Sequence, residues 1–87
     1  MSAAHEAFIL MDPVQDWEES DILYGVFGSL EAAKVRARKV QADRRDFEKK
    51  RRLAVQHWVG PDHVATWEFL PEGEYRRPKG WSRLENP

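Results

Sequence analysis

His57 and His63 stand six residues apart on either side of Gly60-Pro61-Asp62, and they are the residues whose type and spacing most resemble a metal site. A closed zinc site needs four nitrogen, sulfur or carboxylate ligands, and an open one needs three. The chain has no cysteine and places no carboxylate at motif spacing from these imidazoles, so no metal site is expected. His57, among Leu53, Val55 and Trp67, is expected to be a core histidine with its nitrogen satisfied locally. Ser29 and Ser82 belong to no Gly-x-Ser-x-Gly or phosphate-loop sequence and have no histidine–acid pair at motif spacing. With no catalytic residue, no cofactor and no thiolate chemistry in view, the chain is expected not to be an enzyme.

The remaining chemistry is charge and aromatic surface. A net charge of −1 conceals a segregation: residues 1–33 carry seven acids and no Lys or Arg, whereas residues 34–52 carry ten bases against three acids. Such asymmetry bears on association rather than on fold. The acidic stretch 12–21 lacks the spacing and turn glycine of a calcium loop. It is expected to be an exposed loop in which Trp17, flanked by Glu18 and Glu19, anchors a partner, since tryptophan is enriched among interface hot spots. The basic stretch holds Arg44, Arg45, Lys49, Lys50, Arg51 and Arg52. It suits nucleic-acid phosphates or a protein partner, and equally a solvated helix end in which Asp46 and Glu48 pair with bases three or four residues on. Trp58 and Trp81 are candidate stacking residues for bases, or an apolar patch for a protein.

These residues must be positioned by one small domain, because 87 residues with 41% hydrophobic and 33% charged side chains leave no room for a second core. No apolar run is long enough for a membrane helix and the N-terminus lacks signal-peptide features, so a cytoplasmic protein with no membrane partner is expected. Residues 7–11 and 22–27 read as strands from their apolar, branched and aromatic content. Ser29 and Glu31 open a helix. Leu30, Ala33, Ala37 and Val40 give it a buried stripe that is firm to about residue 42, beyond which Arg44 takes a stripe position. If the helix ran on, Lys34, Arg38, Arg45, Lys49 and Arg52 would form a basic ridge opposite.

Residues 53–59 and 63–70 alternate around Gly60-Pro61-Asp62 and predict a hairpin in which a three-residue loop pairs Val59 with His63. That register puts His57 and His63 on one face with Leu53, Val55, Ala65, Trp67 and Phe69, and Trp58 on the other with Gln56 and Thr66. Residues 71–87 read as an extended tail, with 1–70 as the domain. The expected fold is α+β: a two-layer, four-stranded antiparallel sheet in β-β-α-β-β order, covered by one helix, with an irregular C-terminal tail.

The string Val26-Phe27-Gly28-Ser29-Leu30-Glu31-Ala32-Ala33-Lys34 resembles the V-F-x-S-x-E-x-A-K turn of small uncharacterised α+β proteins of actinobacteria and their phages. The likeness, over about residues 7–70, implies the same two-layer fold and a phage or accessory origin, and carries no ligand residue with it. Together these features predict a non-enzymatic macromolecule-binding protein, in concrete form an inhibitor of anti-CRISPR or other anti-defence type acting by protein–protein contact. Its acidic and basic patches also permit self-association. The rival expectation is a small nucleic-acid-binding module using the basic helix end and the exposed tryptophans.

Overall fold

The computed structural model describes residues 5–13, 22–45, 51–73 and 77–84. Strands β1 (Glu6–Asp12), β2 (Ile22–Phe27), β3 (Leu53–Val59), β4 (Asp62–Leu70) and β5 (Gly80–Leu84) form one antiparallel sheet in the order β2-β1-β3-β4-β5, with helix α1 (Leu30–Asp43) between β2 and β3 in sequence. β2 and β3 flank β1, both antiparallel to it, so the helix carries the chain across β1 and packs on β2, β1 and β3. The α+β class is as expected, but the sheet has five strands, not four.

The fifth strand comes from the tail. Pro71 and Gly73 turn the chain, Gly73 at a positive φ of 73°, and β5 pairs with β4 from Leu70↔Gly80 to Thr66↔Leu84. Trp81 lies against Phe69 with ring centroids 5.3 Å apart. Arg77 ties the approach to β5 down by bonding Glu68 Oε1 at 2.9 Å and Ser82 Oγ at 3.0 Å. A short strand of this kind is made by its partner strand and not by its own periodicity.

Ser29 caps α1 through its Oγ, which accepts from the Ala32 N–H at 3.1 Å. Ala33, Ala37 and Val40 form the buried stripe and pack on Phe8, Leu10, Leu53 and Val55. The small alanines let the helix lie close to the strands. Arg44 ends the helix: its backbone is extended, at φ −68° and ψ 146°, and its side chain turns inward. Its Nη2 meets Asp12 Oδ2 at 3.2 Å and the Arg52 carbonyl at 3.3 Å, and its Nη1 donates to Gln41 Oε1 at 3.1 Å and to the Arg51 carbonyl at 2.8 Å. Arg51 Nη2 reaches the same Asp12 oxygen at 3.1 Å. The helix therefore stops at Asp43, so Arg45 and Arg52 lie beyond it and do not continue a ridge on α1, and Lys49 lies outside the described residues.

The β3–β4 hairpin keeps the expected register from Leu53↔Phe69 to His57↔Ala65, then slips by one residue to Trp58↔His63 and Val59↔Asp62. The loop is Gly60-Pro61 alone, with Gly60 at φ 57°, the sign needed at the first position of a tight hairpin turn. Val64 is the extra residue of the resulting bulge, which puts His63 on the face of Trp58, opposite His57.

Removing Asp12 leaves Arg44 buried beside a second cation, so Asp12→Ala should lower unfolding free energy by about 3–5 kcal/mol in urea titrations. Arg51→Ala, at a side chain 31% exposed, should cost no more than about 1 kcal/mol. A change below about 1 kcal/mol for Asp12→Ala would show that this ion pair does not hold the fold together.

Candidate functional site

Neighbouring strands lie about 4.8 Å apart, so five strands span roughly 19 Å, whereas a helix with its side chains is about 10–12 Å across. One helix cannot roof the sheet. α1 sits over the β2-β1-β3 part, and on the same side Trp67 and Phe69 of β4 and Trp81 of β5 pack only against its flank. A groove of about 130 Å³ remains there, lined by Ala37, Arg38, Gln41, Phe69 and Trp81.

Cations stand along this groove. Lys34 Nζ lies 5.7 Å from the centroid of the Trp67 ring and 5.8 Å from that of Trp81. The Arg83 guanidinium lies 5.9 Å from the Trp67 ring on its other neighbour strand position. Lys34 and Arg38 are four residues apart and so share one helix flank; Arg38 and Arg83 are exposed. Strand alternation keeps carboxylates out of this surface: Glu68, between Trp67 and Phe69, points to the opposite side, where Arg52 Nη1 and Arg77 Nη1 hold its Oε1 at 3.2 and 2.9 Å.

No helix of the described residues lies on the opposite sheet face. Val26 pairs with Ile9 and Leu23 with Met11 there, and Leu23 and Val26 are 64% and 65% exposed although both are large and apolar. On the same face but across β1, where it is paired with Ala7, Trp58 of β3 donates from Nε1 to Gln56 Oε1 at 3.1 Å and stacks on His63 with centroids 5.0 Å apart and planes 12° from parallel. His63 Nε2 lies 2.9 Å from Thr66 Oγ1 and 3.0 Å from the Ala65 carbonyl oxygen. On the helix side, His57 stacks on Phe8 at 4.2 Å and meets Glu6 Oε1 at 3.3 Å. No three His, Asp or Glu side chains among the described residues converge as a metal site would require. No protein family, curated protein or solved structure matches the chain.

The residues singled out from sequence are scattered by the fold. Trp17, Glu18, Glu19, Lys49 and Lys50 lie outside the described residues. Arg44, Arg51 and Arg52 are paired with Asp12 and Glu68 of the same chain, and Arg45 is exposed. Trp58 and Trp81, grouped as one stacking surface, lie on opposite faces, because the strand pairing of β5 aligns Trp81 with Phe69. Sequence reasoning missed Trp67, Phe69 and Arg83 as groove residues, although alternation along β4 had already placed Trp67 and Phe69 on one sheet face with Leu53 and Val55.

The cation that bridges Trp67 and Trp81 gives a direct check on this geometry. Lys34→Met keeps the aliphatic stem and removes the charge, so the indole N–H resonances of Trp67 and Trp81 should shift in a ¹H–¹⁵N spectrum. The Trp58 resonance, on the other face and bonded to Gln56, should stay in place. Movement of all three, or of Trp58 alone, would contradict the arrangement.

Proposed function

We propose that the chain is a non-enzymatic binding protein acting by protein–protein contact, with the helix-free face of β2 and β1 as its contact surface. One observation carries this reading: Leu23 and Val26 keep about two-thirds of their surface in water at 64% and 65% exposure, on neighbouring pairs of a single face with Ile9. Apolar surface in water is unfavourable by roughly 25 cal/mol per Å², and a grouped exposed patch marks an interaction site more often than scattered residues do. Trp58 at its margin, stacked and hydrogen-bonded, is a ring held ready in the conformation that a partner would meet, which lowers the ordering cost of association. The partner is a protein presenting a complementary apolar surface, a second copy of this chain included. Occlusion of such a surface requires no chemistry of its own. The inhibitor form of this proposal, directed against a host defence system and of phage or accessory origin, is supported only by the likeness of the Val26–Lys34 turn.

A second reading, nucleic-acid binding, is favoured by one observation, the cations and indole rings that meet in the groove beside α1. The helix end contributes less to it, since Arg44, Arg51 and Arg52 are each held by a carboxylate of the same chain, Arg44 and Arg51 sharing Asp12 and Arg52 sharing Glu68 with Arg77.

Both substitutions Leu23→Glu and Val26→Glu fall at exposed positions, and each should change stability by no more than about 0.5 kcal/mol. Affinity capture from the native host should recover a defined protein with the parent chain and lose it, by about tenfold or more, with the double variant. Sedimentation of the two chains tells a second copy from a different partner. Equal recovery and equal sedimentation with parent and variant would remove this face from the function.

A further inference from the structure

We infer that the groove between α1 and the β4–β5 edge of the sheet binds single-stranded nucleic acid, with bases on the Trp81–Phe69 rings and phosphates at Lys34, Arg38 and Arg83. This rests on the second reading above and narrows it to unpaired strands and to one surface.

The groove alternates the two kinds of group that a single strand alternates. Trp67, Phe69 and Trp81 supply flat apolar surface, and every base has a π-face that can stack on such rings whatever its sequence. Lys34 stands within 6 Å of the Trp67 and Trp81 rings and Arg83 within 6 Å of the Trp67 ring, and Arg38 lines the groove itself. One base on Trp81 therefore brings its flanking phosphates into reach of positive charge on both walls, from the helix on one side and from β5 on the other. None of the three cations forms an ion pair with a described carboxylate, and Glu68 is held on the far side of the sheet by Arg52 and Arg77. With Glu31 the one carboxylate that helix spacing puts on the flank of Lys34 and Arg38, the groove keeps a surplus of positive charge complementary to phosphate.

The same features argue against two other ligands. A duplex hides its base faces, and the rings lie in a recess that a double helix cannot enter, so only unpaired bases reach Trp81 and Phe69. A peptide has amide groups that must be hydrogen-bonded when water is displaced, and beside its cations the groove lining offers one uncharged polar side chain, Gln41. The Lys34 ammonium is attracted to the faces of the two indoles, and on binding it exchanges that contact for a phosphate while a base takes the ring.

The test is fluorescence anisotropy with a fluorescein-labelled oligothymidylate of about 15 nucleotides, within the usual span of a small stacking domain, titrated with the full chain at several salt concentrations. Three phosphate contacts on a single strand predict a log K against log[salt] slope of about −2, and each of Lys34→Ala, Arg38→Ala and Arg83→Ala should reduce that slope by about 0.7. Trp81→Ala should weaken binding by roughly five- to a hundredfold. Trp81→Phe, which keeps a ring to pack on Phe69 and so guards against loss of β5, should recover most of the affinity. The Leu23→Glu, Val26→Glu chain should bind the oligonucleotide as the parent does, which separates this site from the protein-contact face. Binding that ignores the Lys34, Arg38 and Arg83 variants, or that is as tight for the duplex, overturns the groove while leaving nucleic-acid binding standing elsewhere on the chain. Tighter binding of a tryptophan-containing oligoglutamate than of the oligonucleotide assigns the groove to an acidic peptide and overturns the inference. No binding of either nucleic acid removes the inference and the second reading together.

Discussion

The guanidinium of Arg44 joins three elements that are far apart in the chain: the last turn of α1 through Gln41, the end of β1 through Asp12, and the start of β3 through the carbonyls of Arg51 and Arg52. A charge taken out of water costs several kcal/mol unless its partners are replaced, and four hydrogen bonds at 2.8–3.3 Å do so here. That geometry demands a non-helical backbone at Arg44, so the same contact that stabilises the junction also sets the length of the helix. With its C-terminal end clamped beside Asp12 and its N-terminal end set by the Ser29 cap directly after β2, α1 has one available path, across β1. Its position over β2, β1 and β3 follows from these two ends, as does the bare region it leaves over β4 and β5.

The mismatch between a narrow helix and a broad sheet then determines what the molecule presents to other molecules. Among the described residues α1 is the one helix and it lies on the other side of the sheet, and Leu23 and Val26 remain in water on the far face. On the helix side the uncovered strip is aromatic and cationic instead of aliphatic. The difference arises from register. Alternation along β4 assigns Trp67 and Phe69 to one side and Glu68 to the other, and β5 adds Trp81 and Arg83 to the aromatic side and Ser82 to the acidic side. A one-residue slip of β4 would bring Glu68 into the groove and abolish its positive character, and a slip of β5 would turn Trp81 and Arg83 out of it. The Glu68–Arg77–Ser82 contacts, which hold β5 in register from the far face, therefore protect the chemistry of the near face.

Much of this was legible from sequence, and the parts that were not share a physical cause. The Ser29 cap, the alanine stripe and the inner register of the β3–β4 hairpin are local, written in spacings of three, four and two, and all three stand in the structure. β5 is not local: Gly80–Leu84 carries one large aromatic residue, and it is a strand because β4 is beside it. The Val64 bulge was hidden for a similar reason, since alternation by itself favours an unbroken ladder, whereas the Gly60-Pro61 turn closes with two residues and leaves one to be absorbed. Asp12 and Arg44 are 32 residues apart, and nothing near either names the other. The sequence did contain one sign of their contact: Arg44 occupies a position on the apolar stripe of the helix, where a charge is costly unless a buried partner awaits it.

The sign pattern of the chain takes on a different meaning once these pairs are known. An acidic N-terminal third followed by a basic centre suggests two surfaces facing outward to opposite partners, yet Asp12 from the first segment receives both Arg44 and Arg51 from the second inside one subunit. Part of the segregation is therefore intramolecular, a long-range complementarity consumed when β1 and β3 come together. The helix cations behave otherwise. Lys34 and Arg38 lie in the same basic segment but form no ion pair with a described carboxylate; Lys34 meets the Trp67 and Trp81 rings instead, and Arg38 lines the groove with Trp81. Which charges remain available to a ligand is thus decided by where the backbone leaves the helix. Lys34 and Arg38, before that exit, stay beside the groove, whereas Arg44, Arg51 and Arg52 are drawn into ion pairs with Asp12 and Glu68, so a count of arginines along the sequence does not by itself locate the basic surface.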